Sequence, residues 1–152
     1  MASKEDKHPV TPVTLYRAAL DFLTGAKVLV GHPDEARASH SFGLLVGFCL
    51  EDALKAFLCH TGDNETDLKG VGHDLVKAWK KAVDRGLALG AKPPQWCVAL
   101  CDIYFKDDFY VRYPQDNSGM VVPNKAKLID DLRKVLSVVG VALGMDEHGN
   151  FT

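Results

Sequence analysis

The sequence lacks the features that mark a membrane protein, a secreted protein or a chain with a strong excess of one charge. No stretch approaches the ~18 consecutive apolar residues of a membrane-spanning helix, and the closest, residues 135–145, is too short. The start, Met1 to Lys7, is polar and has no apolar run of the kind a secretory signal needs. The net charge of -2 removes any global electrostatic case for nucleic acid. We therefore expect a cytoplasmic protein that does not contact a membrane.

Familiar catalytic and metal-binding motifs are also absent from the sequence. It contains no glycine-rich phosphate loop, no serine-nucleophile elbow and no paired-histidine metalloprotease motif. Its four cysteines do not form the matched pairs of a zinc site, and in a chain without a secretion signal they are expected to be reduced packing residues. We therefore predict neither a metal nor a cofactor.

The sequence has the composition of an ordinary globular domain. The chain is 47% hydrophobic and 25% charged, which argues against intrinsic disorder. No repeat, low-complexity tract or linker divides it. We expect a flexible N-terminus over residues 1–10, one helical domain over residues 11–145, and a flexible C-terminus over residues 146–152.

Apolar residues recur at the three- and four-residue spacing of helices that bury one face. Residues 63–72 and 113–123 are predicted to be loops, because both are polar and rich in turn-forming residues. Five helices and no strand are predicted, so the fold class is all-α, an up-and-down bundle of about five helices. Their starts are marked by Thr11-Pro12, Pro33, His73-Asp74, Pro93-Pro94 and Asn124.

The central helix, roughly Ser39 to His60, is apolar on two faces, and one of those faces carries a charged pair. Glu51 and Lys55 lie four residues apart, in the favourable orientation for a helical ion pair, and are flanked by Phe48 and Leu58. Burying such a pair without further partners is costly. The pair is therefore held in a polar network, faces a functional cleft, or lies exposed.

His73 and Asp74 follow the glycine-rich segment before the next predicted helix. Asp74 in a first helical turn can accept orphan backbone N–H groups, and His73 could cap the helix or reach a carboxylate such as Glu51. An imidazole beside an acid also resembles an acid–base pair, but adjacency in sequence does not fix geometry. Both interpretations remain open.

Arg112 and Tyr113 precede Pro114 near the end of the fourth predicted helix. The guanidinium is a permanently charged, planar fork that suits phosphate or carboxylate. The alternative is an arginine at a helix end that pairs with Asp108, four residues earlier, or with carbonyls of the last turn.

Three segments together resemble the HEPN superfamily of small helical-bundle proteins: Leu50-Glu51-Asp52-Ala53-Leu54-Lys55-Ala56-Phe57-Leu58, Gly72-His73-Asp74-Leu75 and Arg112-Tyr113-Pro114. Their order and spacing match that family over about residues 12–140. The resemblance implies a HEPN-like bundle, often a homodimer, in a group associated with RNA cleavage, toxin–antitoxin pairs and defence systems. It also implies a possible partner protein such as a nucleotidyltransferase.

This sequence departs from the family pattern at a catalytic position. Active members cut RNA without metal, using an arginine followed by a histidine after four to six intervening residues. Aligning that arginine with Arg112 would place the histidine where this chain has Asn117, Ser118 and Gly119. The polar residue that follows the arginine in the family is replaced by Tyr113. The resemblance therefore favours a relative that does not cut RNA, or one that uses other residues.

The first hypothesis is a non-catalytic binding or interaction module that contacts RNA or nucleotide phosphate through Arg112. The candidate binding or polar cluster comprises Glu51, Lys55, His73, Asp74, Arg112 and Tyr113. The alternative is an atypical metal-independent ribonuclease, in which Arg112 stabilises charge on the phosphate and His73 is the acid or base. A third hypothesis is a purely structural partner for another protein.

Overall fold

The computed structural model describes residues 9–106 and 124–152, and these residues are predominantly helical. The described ranges contain no named strand, only one isolated bridge between Met145 and Phe151. The predicted all-α class is therefore confirmed. The α-helices are α1 (Pro12–Leu29), α2 (Ser39–His60), α3 (Glu65–Val71), α4 (Leu75–Asp84), α5 (Gln95–Cys101) and α6 (Lys125–Leu143); a 3-10 turn (Glu35–Ala38) precedes α2 and a π-helical turn (Asp102–Lys106) continues α5.

The prediction that residues 63–72 form a loop is wrong, because Glu65–Val71 is helix α3. The Asn64 side chain accepts a hydrogen bond from the Asp67 backbone N–H, and the Asp67 side chain accepts one from the Asn64 N–H. This reciprocal capping supports a short helix in a polar segment. The described residues thus form six α-helices, where about five were predicted.

Contacts between neighbouring helices show that α2 and α6 both run antiparallel to α1. Phe22 stacks against Phe48, and the Cys59 thiol lies 3.9 Å from the carbonyl oxygen of Val10, so α1 and α2 are antiparallel. The Tyr16 hydroxyl donates to the Leu136 carbonyl at 3.1 Å, so α6 also runs back along α1. Lys125, at the start of α6, reaches the Glu35 carboxylate beyond the end of α1.

Helix α2 lies at the centre and is buried on several sides. It packs against α1 and α6 on one side and against α3, α4, α5 and the π-helical turn on the other. Burial on both sides explains why the helix has two apolar faces. A charged residue on its second face therefore lies within the bundle.

The residues predicted as a flexible C-terminus form a hydrogen-bonded turn. The Asp146 carboxylate accepts from the backbone N–H groups of His148 and Asn150, and Arg17 Nε donates to the Gly149 carbonyl at 2.9 Å. The buried Tyr16 hydroxyl also lies 3.3 Å from the Asp146 carbonyl. These bonds attach the end of the chain to α1.

Within the described ranges, no helix is both long enough and apolar enough to cross a membrane. All four cysteines are free thiols, and Cys49, Cys97 and Cys101 are buried. Burial raises the pKa of the Cys97 thiol to about 12, with smaller contributions from Cys101 and Asp74. These thiols are packing residues, as the sequence suggested.

Candidate functional site

The candidate site is centred on Glu51, which projects from the middle of α2 into the interface with α4 and the π-helical turn. Its side chain is 7% exposed and its carboxylate has three donors. Oε1 accepts from the Tyr104 hydroxyl at 3.0 Å and lies 2.5 Å from His73 Nδ1, while Oε2 lies 3.2 Å from Lys55 Nζ. We call these four residues the Glu51 cluster. The carboxylate is buried but well partnered, as a buried charge requires.

Lys55 is the only one of the three donors on the same helix as Glu51. Its position four residues later brings its ammonium group one turn along the same face. The Lys55 side chain is only 12% exposed. The charged pair is therefore held in a polar network, and the alternative of an exposed pair is excluded.

His73 reaches Glu51 because the chain turns sharply between α3 and α4. Gly72 takes a positive φ of 62° as the C-cap of α3, a conformation that glycine adopts without strain. The Asp74 side chain then accepts from the Lys77 backbone N–H and caps α4. His73 is held between these two helix ends, and its side chain is 33% exposed, which makes it the most accessible of the four residues of the Glu51 cluster.

The sequence interpretation missed Tyr104, which is fully buried. The ring fits against Gly47, where an added Cβ would clash with Cδ2 of the tyrosine. It also makes edge-to-face contacts with Phe48 and His73. The one sequence signal was a glycine in the interior of a long helix, which marks close approach by another group.

Asp52 adjoins the cluster on α2. Burial raises the pKa of its carboxyl to about 7, the negative charge of Glu51 adds to this rise, and the ammonium group of Lys55 opposes it. Two adjacent carboxyls thus differ in environment, because Glu51 has three donors whereas Asp52 is affected mainly by burial.

A second buried carboxylate, Asp63, lies in the turn after α2. It is 3% exposed, and its two oxygens lie 2.7 Å from Lys81 Nζ and 2.5 Å from Arg85 Nη1. Burial alone would raise its pKa, but the hydrogen bonds and charges of these two donors lower the pKa below its ordinary value. This arrangement, which we call the Asp63 clamp, ties the end of α2 to the end of α4. The sequence interpretation placed Asp63 only in the predicted loop of residues 63–72.

The structure brings together three of the predicted site residues, Glu51, Lys55 and His73. Asp74 lies beside them but is occupied as the cap of α4 and as an acceptor for the Cys101 thiol at 3.5 Å. Arg112 and Tyr113 lie outside the described residues, as do Asp108 and the segment that contains Asn117. In the described ranges, no group of three or more histidine, cysteine or acidic residues could hold a metal ion.

The arrangement restricts what the cluster can do chemically. An ionised carboxylate can only accept hydrogen bonds, so the Nδ1 atom that lies 2.5 Å from Glu51 carries a proton, and in the neutral imidazole the lone pair is on Nε2. Glu51 thereby fixes the tautomer and orientation of the ring. His73 can accept a proton at Nε2, or donate a hydrogen bond from it when charged. The Glu51 carboxylate itself is shielded from solvent by its donors.

Comparisons of the chain with family models, with curated proteins and with solved structures gave no match.

Proposed function

We propose that the protein is a HEPN-like module that binds RNA or nucleotide phosphate and does not cleave it. The observation that carries the proposal is that the Glu51 carboxylate is already occupied by three donors within the bundle. The carboxylate accepts from Tyr104, His73 and Lys55 and is 7% exposed, so it positions the imidazole and does not itself reach a substrate. One partly exposed imidazole remains as the contact group of the cluster. An imidazolium Nε2–H is a suitable donor to a phosphate oxygen.

The resemblance assigns the second phosphate contact to Arg112. This part of the proposal rests on the sequence, in which the arginine is followed by Asn117, Ser118 and Gly119 at the positions where active relatives carry histidine. A guanidinium is permanently charged, so without the family's histidine Arg112 can bind phosphate but cannot itself move a proton. Binding without cleavage follows from that combination.

Fluorescence anisotropy with a labelled single-stranded RNA oligonucleotide tests the binding proposal. Arg112→Ala is expected to weaken binding about tenfold, and Arg112→Lys by less, since lysine keeps the charge but loses the fork. Lys80→Ala, at an exposed lysine on α4, serves as the matched control for general electrostatic attraction. Equal losses in the Arg112 and Lys80 variants would contradict a specific arginine contact.

The second candidate function is metal-independent RNA cleavage, and the 2.5 Å contact between Glu51 and His73 favours it. In this mechanism His73 Nε2 takes the proton of the ribose 2′-hydroxyl, and the freed oxygen attacks phosphorus. The bond to the 5′-oxygen breaks, water protonates the leaving oxygen, and a cyclic phosphate and a 5′-hydroxyl are formed. Arg112 stabilises the charge that develops on the phosphoryl oxygens.

An assay for the cyclic phosphate in the presence of a chelator separates cleavage from binding. The ribonuclease hypothesis predicts that His73→Gln and Arg112→Ala each abolish the product, because glutamine preserves a donor to Glu51 but cannot accept a proton. Cleavage that persists in both variants would indicate a contaminating nuclease. No product from the wild-type protein would leave the binding proposal in place and remove the enzymatic one.

The homodimer, the link to toxin–antitoxin or defence systems, and a partner such as a nucleotidyltransferase stay predictions from the resemblance. A purely structural partner protein remains the third hypothesis. It predicts no RNA binding in the anisotropy experiment.

A further inference from the structure

His73 combines a fixed ring orientation with one ring nitrogen that the fold leaves available. Its Nδ1 lies 2.5 Å from the buried Glu51 carboxylate, and the Tyr104 ring packs edge-to-face against the imidazole with the ring centroids 5.9 Å apart. Nε2 makes no hydrogen bond with the described residues and is not buried. The ring is therefore held on its Nδ1 side, and in the neutral form its other nitrogen offers a lone pair at the surface.

Two other histidines with known contacts lack this combination. His32 Nδ1 accepts a hydrogen bond from the Asp34 backbone N–H, so the proton of its neutral ring is on Nε2. His148 Nε2 lies 3.5 Å from Glu147, and these two side chains are 74% and 79% exposed. Of these three imidazoles, only that of His73 presents an unprotonated Nε2 with a buried carboxylate on the opposite side of the ring.

A cation is held in the same turn as His73. The exposed Lys77 lies four residues further along the chain, and its Nζ donates to the Gly70 carbonyl at 3.1 Å, across the turn between α3 and α4. The Asp74 carboxylate accepts from the Lys77 backbone N–H, so its charge is directed at the end of α4. Because the acceptor of the ammonium group is a neutral carbonyl, the positive charge of Lys77 stays available to an anion beside His73.

We propose that His73 is a phosphoryl acceptor that is modified at Nε2 by an N-phosphoryl donor, of which phosphoramidate is the simplest. The Nε2 lone pair attacks phosphorus and the phosphorus–nitrogen bond of the donor breaks. The donor nitrogen leaves with that electron pair, as ammonia in the case of phosphoramidate, after taking a proton from solvent. Because the bond formed and the bond broken are both phosphorus–nitrogen bonds, the transfer needs no further source of free energy.

Glu51 is a positioning residue in this reaction, and His73 is the nucleophile. The imidazole gains positive charge as the new bond forms, and the Glu51 carboxylate stabilises that charge through the Nδ1–H group. Lys77 favours the negative charge of the arriving phosphoryl oxygens. The inference goes beyond RNA binding and does not depend on it, since the nucleophile is the neutral imidazole and no RNA takes part.

Phosphorylation of the purified protein by phosphoramidate at neutral pH tests the inference. The site and the rate are followed by mass spectrometry of peptides kept at alkaline pH, where phosphohistidine is stable. His73 is expected to react about tenfold faster than the more exposed His148 in the same molecule, because only His73 has a buried carboxylate behind the ring. Phosphorus NMR should show the Nε2 isomer at His73, since Glu51 covers Nδ1.

Glu51→Gln separates the effect of charge from that of packing, because the amide keeps an acceptor for Nδ1–H but carries no charge. Phosphorylation of His73 should slow about tenfold in this variant, with the Nε2 isomer retained. Glu147→Gln is the matched control, since it removes an exposed carboxylate beside His148. Screening by solvent should limit its effect on the rate at His148 to less than about twofold.

Three results would overturn the proposal: equal rates at His73 and His148, an Nδ1 product at His73, or an unchanged rate in a folded Glu51→Gln variant. Circular dichroism reports whether each variant is folded. If Glu51→Gln does not fold, the comparison of His73 with His148 in the wild-type protein decides alone. His73→Gln should remove the fast phase and leave the slow reaction at His148, which verifies the assignment of the peptide.

Discussion

Glu51 and Asp63 are both buried carboxylates, each 5% exposed as whole residues, and both connect α2 to α4. Their partners differ. The Asp63 clamp uses two cationic side chains, Lys81 and Arg85, each about one-third exposed. The Glu51 cluster combines the phenol of Tyr104, the imidazole of His73 and the ammonium group of Lys55. Tyr104 and Lys55 are more deeply buried than the two donors of the clamp. The clamp is suited to holding two helix ends together, whereas the cluster also positions an imidazole that can exchange a proton.

The largest expected effect comes from removing the centre of the Glu51 cluster. Glu51→Ala leaves Lys55 buried without its carboxylate and removes one hydrogen bond of the Tyr104 hydroxyl. Breaking a buried ion pair by removing one partner typically costs about 3–5 kcal/mol of the free energy of unfolding. Urea denaturation followed by circular dichroism measures this loss.

Glu65→Ala is the matched control, because Glu65 and Lys69 have the same four-residue spacing but are 56% and 75% exposed. Its effect should stay below about 0.5 kcal/mol. Similar effects of the two substitutions would show that burial does not distinguish the Glu51 cluster from a surface pair.

A smaller loss is expected at the Asp63 clamp. Asp63→Ala removes the shared acceptor of Lys81 and Arg85, but both cations are already about one-third exposed and can be solvated. We expect a loss of about 2 kcal/mol by urea denaturation. Asp130→Ala, at an exposed aspartate that pairs with Arg133, provides the surface comparison. A loss larger than that of Glu51→Ala would reverse the assigned order of the two regions.

Packing around Tyr104 should matter to the Glu51 cluster but not to the Asp63 clamp. Gly47→Ala places a methyl group against the tyrosine ring, which has to shift away from Glu51. Overpacking of this kind costs about 1–2 kcal/mol. Gly70→Ala is the control, because an added Cβ there meets no atom within 4 Å and alanine favours helix. Equal thermal stability of the two variants would show that the tyrosine can move without cost.

The sequence predicted the local features of this fold better than its long-range contacts. Thr11 and Asn124 cap α1 and α6 as expected, since a cap depends on neighbours three residues away. The sequence also identified Glu51 as a charge on an apolar face, but could not choose between a network and an exposed pair. That choice depends on Tyr104, which lies 53 positions away and enters through a π-helical turn. Helical periodicity carries no information about such a contact.

Asp52 and Asp63 should show opposite dependences of stability on pH. The pKa of Asp52 is about 7 in the folded protein, above its ordinary value of 3.8. As pH rises, the unfolded chain therefore releases the Asp52 proton at a lower pH than the folded protein does. The contribution of Asp52 to stability therefore falls as pH rises from about 4 to 7. The pKa of Asp63 is lowered by its cationic donors, so its contribution is present above the ordinary value and is lost as pH falls below it.

Asparagine substitutions separate these two contributions. Relative to wild type, Asp52→Asn should be more favourable near pH 8 than near pH 4, by about 1 kcal/mol after allowing for solvent screening. Asp63→Asn should be most unfavourable near neutral pH and less so near pH 3. Urea denaturation of both variants across this range gives the two slopes. If the slopes have the same sign, Asp52 does not experience the burial and the Glu51 charge assigned to it, and the two regions do not differ in their response to protons.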